Sequence, residues 1–125
     1  EQTKTNTSIT LVLALNYSSK WEIEQMVKSI SSQIKEGLIT EEKIDHEFIS
    51  NELTTKGIPD PELLIRTSGE HRVSNFLLWQ IAYTEFYFLD MFWPDFGKQE
   101  LHDAIYDYQN RERRFGLVSE QIKSV

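Results

Sequence analysis

Residues 63–75 read Leu-Leu-Ile-Arg-Thr-Ser-Gly-Glu-His-Arg-Val-Ser-Asn, and the fold prediction starts from this stretch. Its first three residues are apolar, which predicts a short buried strand. The polar residues from Arg66 to Gly69 follow without a break and predict a turn at the end of that strand. The stretch therefore joins a structural element to a concentration of polar and charged groups.

Two further strands are predicted, one on each side of this stretch in the sequence. Residues 9–15 form a nearly continuous apolar run, which is typical of a strand covered on both faces. Residues 86–89 read Phe-Tyr-Phe-Leu, and this aromatic content favours a strand.

Helical patterns separate the predicted strands. Apolar residues recur at steps of three and four from residue 21 to residue 35, which indicates one helical face. Thr40 is the predicted cap of a second helix, and Ser74 caps a third that runs to residue 82. This third helix is apolar nearly all round and should be deeply buried. Asp95 is the predicted cap of a final helix that ends near residues 111–114.

The alternation of strands and helices predicts the α/β class, with a parallel β-sheet and flanking helices. Three strands make a small sheet with hazardous open edges, so further strands are expected upstream or in a partner. Ligands of such sheets bind beyond the carboxyl ends of the strands. We therefore expect a ligand-binding site at the turn that begins at Arg66.

The composition excludes several classes of protein. The 125 residues include 13 Lys and Arg against 20 Asp and Glu, a formal net charge of −7. This argues against a protein that coats nucleic acid, because phosphate backbones are neutralised by basic surfaces. The lack of cysteine excludes disulfides and thiolate chemistry, and no run approaches the ~18 apolar residues of a membrane span. One soluble cytoplasmic domain is the expectation.

The turn after the middle strand holds several anion-binding groups. Arg66 and Arg72 supply planar bidentate donors, Ser74 adds a hydroxyl, and the predicted helix start adds backbone N–H groups. Charge-assisted hydrogen bonds contribute roughly 1.5–3 kcal/mol each, so two arginines can hold a diphosphate on an acidic protein. The alternative is that both arginines pair with Glu62 and Glu70 on the surface.

Glu85 lies among aromatic residues, where a buried carboxylate needs a partner. It is either a ligand for a hard metal such as Mg²⁺ beside the diphosphate, or one half of an ion pair with an arginine. His71 falls inside the anion-binding turn and is a candidate for phosphate, for metal or for neither. His46 and His102 lie among charged neighbours on predicted helices, where we expect them to be solvated.

The residue order in four segments closely resembles the C-terminal half of the cis-prenyltransferase family, of the undecaprenyl diphosphate synthase type. The matching segments are residues 61–80, 82–88, 93–96 and 111–116, and the likeness extends from about Thr5 to Gly116. The resemblance implies the fold of that family, with residues 1–125 as the C-terminal half of a single catalytic domain. The family's N-terminal half, with its Asp-Gly-Asn-Gly-Arg-Trp phosphate loop, is then absent.

The family condenses isopentenyl diphosphate units onto an allylic diphosphate such as farnesyl diphosphate, with Mg²⁺. Its bacterial product is the cis-polyprenyl lipid carrier for cell-wall synthesis. By resemblance, the residues that bind isopentenyl diphosphate are Arg66, Arg72, Val73 and Ser74. Glu85 resembles the Mg²⁺ ligand, and residues 114–116 match an Arg-x-Gly element that reaches the partner's active site in a homodimer. Peripheral membrane contact during product release is also implied.

Two departures from the family limit what is carried over. Without the N-terminal half the chain is expected to be inactive, and no catalytic residue is assigned to it. Where the family has Asn-Tyr-Gly-Gly-Arg, this chain has Asn16-Tyr17-Ser18-Ser19-Lys20. Serine restricts the backbone and lysine lacks the bidentate fork, so no role is assigned to this turn. Two other functions stay open: a non-catalytic partner subunit, and a phosphate-binding module unrelated to prenyl transfer.

Overall fold

The computed structural model describes residues 3–113. Within this range three α-helices, two strands and two short 3₁₀ helices follow one another along the chain. They are α1 (Ser19–Lys35), α2 (His46–Glu52), β1 (Leu63–Arg66), β2 (Glu85–Phe88) and α3 (Lys98–Gln109), with 3₁₀ helices at Glu41–Lys43 and Trp93–Asp95. None of the helices in this range has the length and apolar character needed to cross a bilayer.

The two strands pair in parallel, with Leu63 opposite Glu85 and Arg66 opposite Phe88. The ladder continues at its carboxyl end, where the Leu89 N–H donates to the Arg66 carbonyl at 2.9 Å. This confirms the α/β class with a parallel sheet and flanking helices, and both strands fall within one residue of their predicted positions. Arg66 therefore ends β1 at the edge where parallel sheets bind ligands.

The first predicted helix is confirmed as α1, which starts two residues early because Ser18 caps it. The Ser18 hydroxyl accepts a hydrogen bond from the Trp21 N–H at 3.3 Å. Met26 and Ile30 lie on the buried face and pack with Leu53. The partly buried side chains around this core are Ile23, Ile39, Ile44, Phe48, Ile49 and Trp79. Burial of these apolar groups holds α1 against α2 and the chain that follows it.

The second predicted helix does not start at Thr40. The Thr40 side chain makes no capping hydrogen bond, and a short 3₁₀ helix follows it. α2 begins at His46, because the Asp45 carboxylate accepts a hydrogen bond from the Phe48 N–H at 2.8 Å. A carboxylate at this position satisfies a free N–H group and favours the positive end of the helix dipole.

The last helix is present, but its predicted bounds are wrong. Asp95 lies in a 3₁₀ helix and does not cap α3. The residue before α3 is Gly97, whose N–H donates to Glu100 Oε2 at 2.9 Å. The helix ends at Gln109, before the cluster of arginines.

The prediction of a buried strand at residues 9–15 is wrong. No strand forms there, and Ile9, Leu11, Leu13 and Leu15 are each at least 71% exposed. No backbone hydrogen bond joins these residues to another part of the range 3–113. A strand covers apolar side chains only when neighbouring strands and helices are present, and the described residues supply none for this segment.

The helix predicted at residues 74–82 is also absent. Ser74, Asn75 and Leu77 have φ of 47°, 62° and 49°, which a right-handed helix excludes. The segment forms consecutive turns, in which Ile81 is buried while Phe76 remains 38% exposed. The predicted deep burial therefore applies to only part of the segment.

A buried carboxylate joins this turn segment to α1. Glu22 is 2% exposed, and its Oε2 accepts from the Tyr17 hydroxyl at 2.5 Å and from Gln80 Nε2 at 3.2 Å. Its Oε1 accepts from the Thr54 N–H at 2.9 Å and also from the Thr54 hydroxyl. A buried charge is costly unless such bonds satisfy it, so Glu22 ties three chain segments together.

We expect the stability of the fold to fall at acid pH because of Glu22. Burial raises the pKa of this carboxyl, but hydrogen bonds from Thr54, Tyr17 and Gln80 outweigh burial and hold its pKa below the usual 4.5. A lowered folded pKa stabilises the protein above about pH 4.5, and this stabilisation is lost as the pH falls through the folded value. Urea unfolding between pH 7 and pH 3 measures the loss.

Glu22→Gln is the variant to compare with the wild type. Its amide does not titrate, and its NH₂ group would face hydrogen-bond donors from which it cannot accept. We expect a loss of about 1–3 kcal/mol at pH 7 and a shallower dependence on acid pH. Glu24→Gln, which removes an exposed carboxylate on the same helix, is the control. Equal acid sensitivity in the wild type and Glu22→Gln would contradict this account.

Candidate anion-binding site

A cavity of about 300 Å³ lies at the carboxyl end of β1. Its lining residues are Leu64, Ile65, Arg66, Arg72, Val73, Ser74 and Phe76. All four residues that the sequence predicts to bind a diphosphate are in this list. Its remaining walls are apolar side chains, so the cavity combines guanidinium and hydroxyl groups with hydrocarbon surface.

Arg66 donates hydrogen bonds to two other residues that line the cavity. Its Nη1 donates to the Ser74 hydroxyl at 3.0 Å and also to the Arg72 carbonyl oxygen. The side chain is half-buried, and within residues 3–113 no carboxylate forms an ion pair with it. Its positive charge is therefore not neutralised by the described part of the chain, which favours an anion in the cavity.

Arg72 is arranged differently. Its guanidinium forms an ion pair with Glu70, and its side chain is 63% exposed. The surface pairing that the sequence left open is thus present for Arg72 but not for Arg66, and Glu62 pairs instead with Arg113 at 2.7 Å. An exposed pair of this kind contributes little energy, so Arg72 can exchange Glu70 for another anion at small cost.

The turn between the two arginines is fastened to the chain beyond β2. The Ser68 N–H donates to the Met91 carbonyl at 2.6 Å, and the Gly69 N–H donates to the Leu89 carbonyl at 2.9 Å. His71 packs against Phe88, with ring centroids 4.8 Å apart, and does not line the cavity. These contacts fix the turn across the carboxyl end of the sheet.

The helix start that was expected to supply backbone N–H groups is absent at Ser74. Since residues 74–82 are turns, no helix dipole points at the cavity from Ser74. The Ser74 hydroxyl accepts from Arg66 instead of capping a helix. The candidate site therefore depends on side chains, and above all on Arg66.

Glu85 lies at the opposite end of the sheet from Arg66. It opens β2 opposite Leu63, three residues back from the Arg66 level, or roughly 10 Å along the strands. Its Oε2 accepts from Arg111 Nη1 at 3.0 Å, and Arg111 also binds Asp107. The ion pair with an arginine, which was one of the two interpretations of Glu85, is therefore present.

Glu85 is the carboxylate that the sequence predicts as a Mg²⁺ ligand. No three His, Asp or Glu side chains of residues 3–113 come together as metal ligands. Mg²⁺ needs one or two carboxylates and takes its other ligands from phosphate and water, so Glu85 fits as a single donor once Arg111 releases it. Residues 114–116, with the Arg-x-Gly match, lie outside the described residues.

Sequence reasoning missed the residues that bind the cavity-lining segment around Ser74 to the start of α1. Asn75 follows Ser74 directly, and its amide oxygen accepts from the Lys20 N–H at 2.9 Å. Its NH₂ group donates to the Ser18 hydroxyl at 2.9 Å. The signal in the sequence was the pair of serines where the resembling family has two glycines, since serines add hydroxyl partners.

Comparison with known proteins gives a consistent set of relatives. A family model described as "Putative undecaprenyl diphosphate synthase" matches residues 1–116. An isoprenyl transferase of Porphyromonas gingivalis is 51% identical over 121 residues, which are 97% of this chain and 48% of that protein. A ditrans,polycis-undecaprenyl-diphosphate synthase ((2E,6E)-farnesyl-diphosphate specific) of Aliivibrio fischeri is 47% identical over 98% of this chain and 48% of that protein.

A solved structure shares the fold. Lavandulyl diphosphate synthase from Lavandula x intermedia, in complex with dimethylallyl diphosphate, superposes with a TM-score of 0.84 and 38% sequence identity. The match covers 90% of this chain and 48% of that one. The chain thus spans about half the length of the relatives it matches.

Substitution of Gly69 tests how tightly the turn is held. Gly69 has φ of 65°, and a Cβ there would lie 2.8 Å from Asp90 Oδ1. Gly57, with φ of 79° and no atom within 4 Å, is the matched control. An alanine in this backbone region costs about 1–2 kcal/mol at either position. We expect thermal unfolding to show a larger loss for Gly69→Ala, because the Asp90 carboxylate must also move; equal losses would contradict the contact.

Proposed function

Because the chain belongs to the undecaprenyl diphosphate synthase family of prenyltransferases, we propose that its Arg66 cavity binds the diphosphate of isopentenyl diphosphate. The observation that carries the proposal is the half-buried Arg66 guanidinium, which lines the cavity without a carboxylate partner in residues 3–113. A guanidinium binds phosphate oxygens through paired, charge-assisted hydrogen bonds. Arg66 therefore has the charge and the donors that the ligand needs.

The other lining residues suit the rest of this ligand. The Ser74 hydroxyl adds a donor beside Arg66, and Arg72 adds a second guanidinium when it leaves Glu70. The side chains of Leu64, Val73 and Phe76 offer apolar surface. Isopentenyl diphosphate has a charged head and a short hydrocarbon tail, so a cavity with both kinds of wall supports this choice of ligand.

The proposed reaction transfers an isoprenyl chain. An allylic diphosphate such as farnesyl diphosphate loses its diphosphate, and the alkene of isopentenyl diphosphate forms the new carbon–carbon bond and then loses a proton. Repetition gives a cis-polyprenyl diphosphate of the undecaprenyl type, the lipid carrier for cell-wall synthesis. The contribution of Arg66, Arg72 and Ser74 is to hold and orient isopentenyl diphosphate, which is catalysis by positioning.

The chain is proposed to form the C-terminal half of one catalytic domain. Its relatives are about twice as long, and the exposed apolar residues 9–15 are suited to pairing with further strands. By itself this half is expected to be inactive. The complete protein is proposed to act as a homodimer that contacts the membrane peripherally when product leaves.

Mg²⁺ is the proposed cofactor, and it supplies charge that stabilises a departing diphosphate. Glu85 is the residue proposed to hold it, together with phosphate oxygens and groups beyond the described residues. Glu85 must first leave Arg111, and this pair is partly open to solvent, with side chains 30% and 28% exposed. The cost of opening the pair is therefore moderate.

Arg66→Ala tests the ligand. Isothermal titration of isopentenyl diphosphate into the full-length protein should show affinity about tenfold or more weaker, because one charge-assisted contact is worth roughly 1.5–3 kcal/mol. Lys28→Ala is the control, since it removes one positive charge from the exposed surface of α1. Wild-type affinity in Arg66→Ala would refute the proposed site. Tight binding of isopentenyl diphosphate by the wild-type full-length protein, without turnover, would instead favour a non-catalytic subunit.

Glu85→Gln tests the metal role. We expect it to abolish most Mg²⁺-dependent turnover of the full-length protein while affinity for isopentenyl diphosphate changes little, because the cavity lies at the other end of the sheet. Glu62→Gln is matched, since it also removes a carboxylate paired with an arginine. Turnover that keeps its Mg²⁺ dependence in Glu85→Gln would contradict the assignment.

A further inference from the structure

The N-terminus of α1 and the segment after Ser74 are joined by four hydrogen bonds. The Ser19 N–H donates to the Asn75 carbonyl at 3.0 Å, and the Lys20 N–H donates to Asn75 Oδ1 at 2.9 Å. Asn75 Nδ2 donates to the Ser18 hydroxyl at 2.9 Å. The Leu78 N–H donates to the Ser19 hydroxyl at 2.9 Å. We call this set of bonds the serine clamp.

The serine clamp is partly buried. Ser19 is fully buried, and Ser18 and Asn75 are half-buried. The clamp brings together residues 55 to 59 positions apart in the sequence. Loss of the Ser19 hydroxyl would leave the Leu78 N–H, in a part-buried hydrogen bond, without its acceptor, which costs more than loss of a fully exposed hydrogen bond.

The backbone that the serine clamp holds is an unfavourable one. Ser74 and Asn75 have φ of 47° and 62°, a region that L residues other than asparagine and aspartate seldom adopt. Such residues persist when surrounding contacts fix them. Asn75 tolerates this region best, and both ends of its side chain are bonded to α1.

The held segment is a wall of the candidate site. Ser74 and Phe76, the neighbours of Asn75 on either side, both line the cavity, and Ser74 accepts from Arg66. We propose that Ser18, Ser19 and Asn75 are positioning residues for isopentenyl diphosphate, which set the places of Ser74 and Phe76 before the ligand arrives. This inference rests on the proposed function. A preformed site avoids the ordering cost that binding would otherwise include.

Ser19→Ala and Asn75→Gly test the serine clamp in the full-length protein. Asn75→Gly keeps the positive φ while removing both side-chain bonds. For each variant we expect the KM for isopentenyl diphosphate to rise about threefold to tenfold, the equivalent of one hydrogen bond, with a smaller change in kcat. Ser29→Ala is the control, because Ser29 lies elsewhere on α1 and its hydroxyl donates to Glu52 of α2.

A double-variant comparison separates positioning from simple loss of stability. If the clamp acts through Ser74, the Ser19→Ala change should weaken ligand binding less when Ser74→Ala is already present. Additive effects, or KM values like that of Ser29→Ala, would overturn the inference. If Ser19→Ala does not fold, Asn75→Gly decides alone by the same criteria.

Failure of this inference is distinguishable from failure of the proposed function. If Arg66→Ala weakens binding while both clamp variants bind like Ser29→Ala, the proposed binding site is supported and the positioning role of the serine clamp is refuted. If Arg66→Ala binds isopentenyl diphosphate as the wild type does, the site itself is wrong and the role of the clamp falls with it.

Discussion

The parallel pairing of β1 with β2 determines where the polar groups of the candidate site lie. It places Arg66 beside Phe88 at the carboxyl edge of the sheet and Glu85 at the amino edge. The turn that follows Arg66 is then bonded to the chain beyond β2 through Ser68 and Gly69. Because the backbone ladder fixes these positions, the cavity has one rigid wall, and its other wall must come from the segment after residue 72.

That second wall is shaped by α1 rather than by its own helical tendency. Glu22 bonds to Gln80, and the serine clamp bonds α1 to Asn75 and Leu78. The first turn of α1 thus acts as a template for residues 74–80. Polar contacts can do this because a buried donor or carboxylate without a partner is costly, so one arrangement is strongly favoured over the others.

Two ion pairs involve residues that are proposed to bind the diphosphate and Mg²⁺. Glu70 neutralises Arg72, and Arg111 neutralises Glu85. Burial lowers the pKa of Arg111, but Glu85 and Asp107 outweigh it and raise that pKa, so this guanidinium stays charged and competes with any cation for Glu85. On the proposed function, a diphosphate would compete with Glu70 for Arg72, and Mg²⁺ would compete with Arg111 for Glu85.

The sequence by itself determined the elements that depend on local chemistry: the apolar face of α1, the two paired strands, and the arginine-rich turn after β1. Arg66, Arg72, Val73 and Ser74, which the sequence and its family resemblance single out, are four of the seven residues that line the cavity. Only the tertiary structure decided that residues 74–82 form turns, since Asn75 gains bonds to α1 that lie more than fifty residues away in sequence. The tertiary structure also selected the ion pair between Arg72 and Glu70, near neighbours in sequence, from the alternatives that the sequence left open. It likewise decided that Glu85 pairs with Arg111 and that residues 9–15 remain uncovered, because these outcomes depend on which distant groups are present in space and not on local pattern.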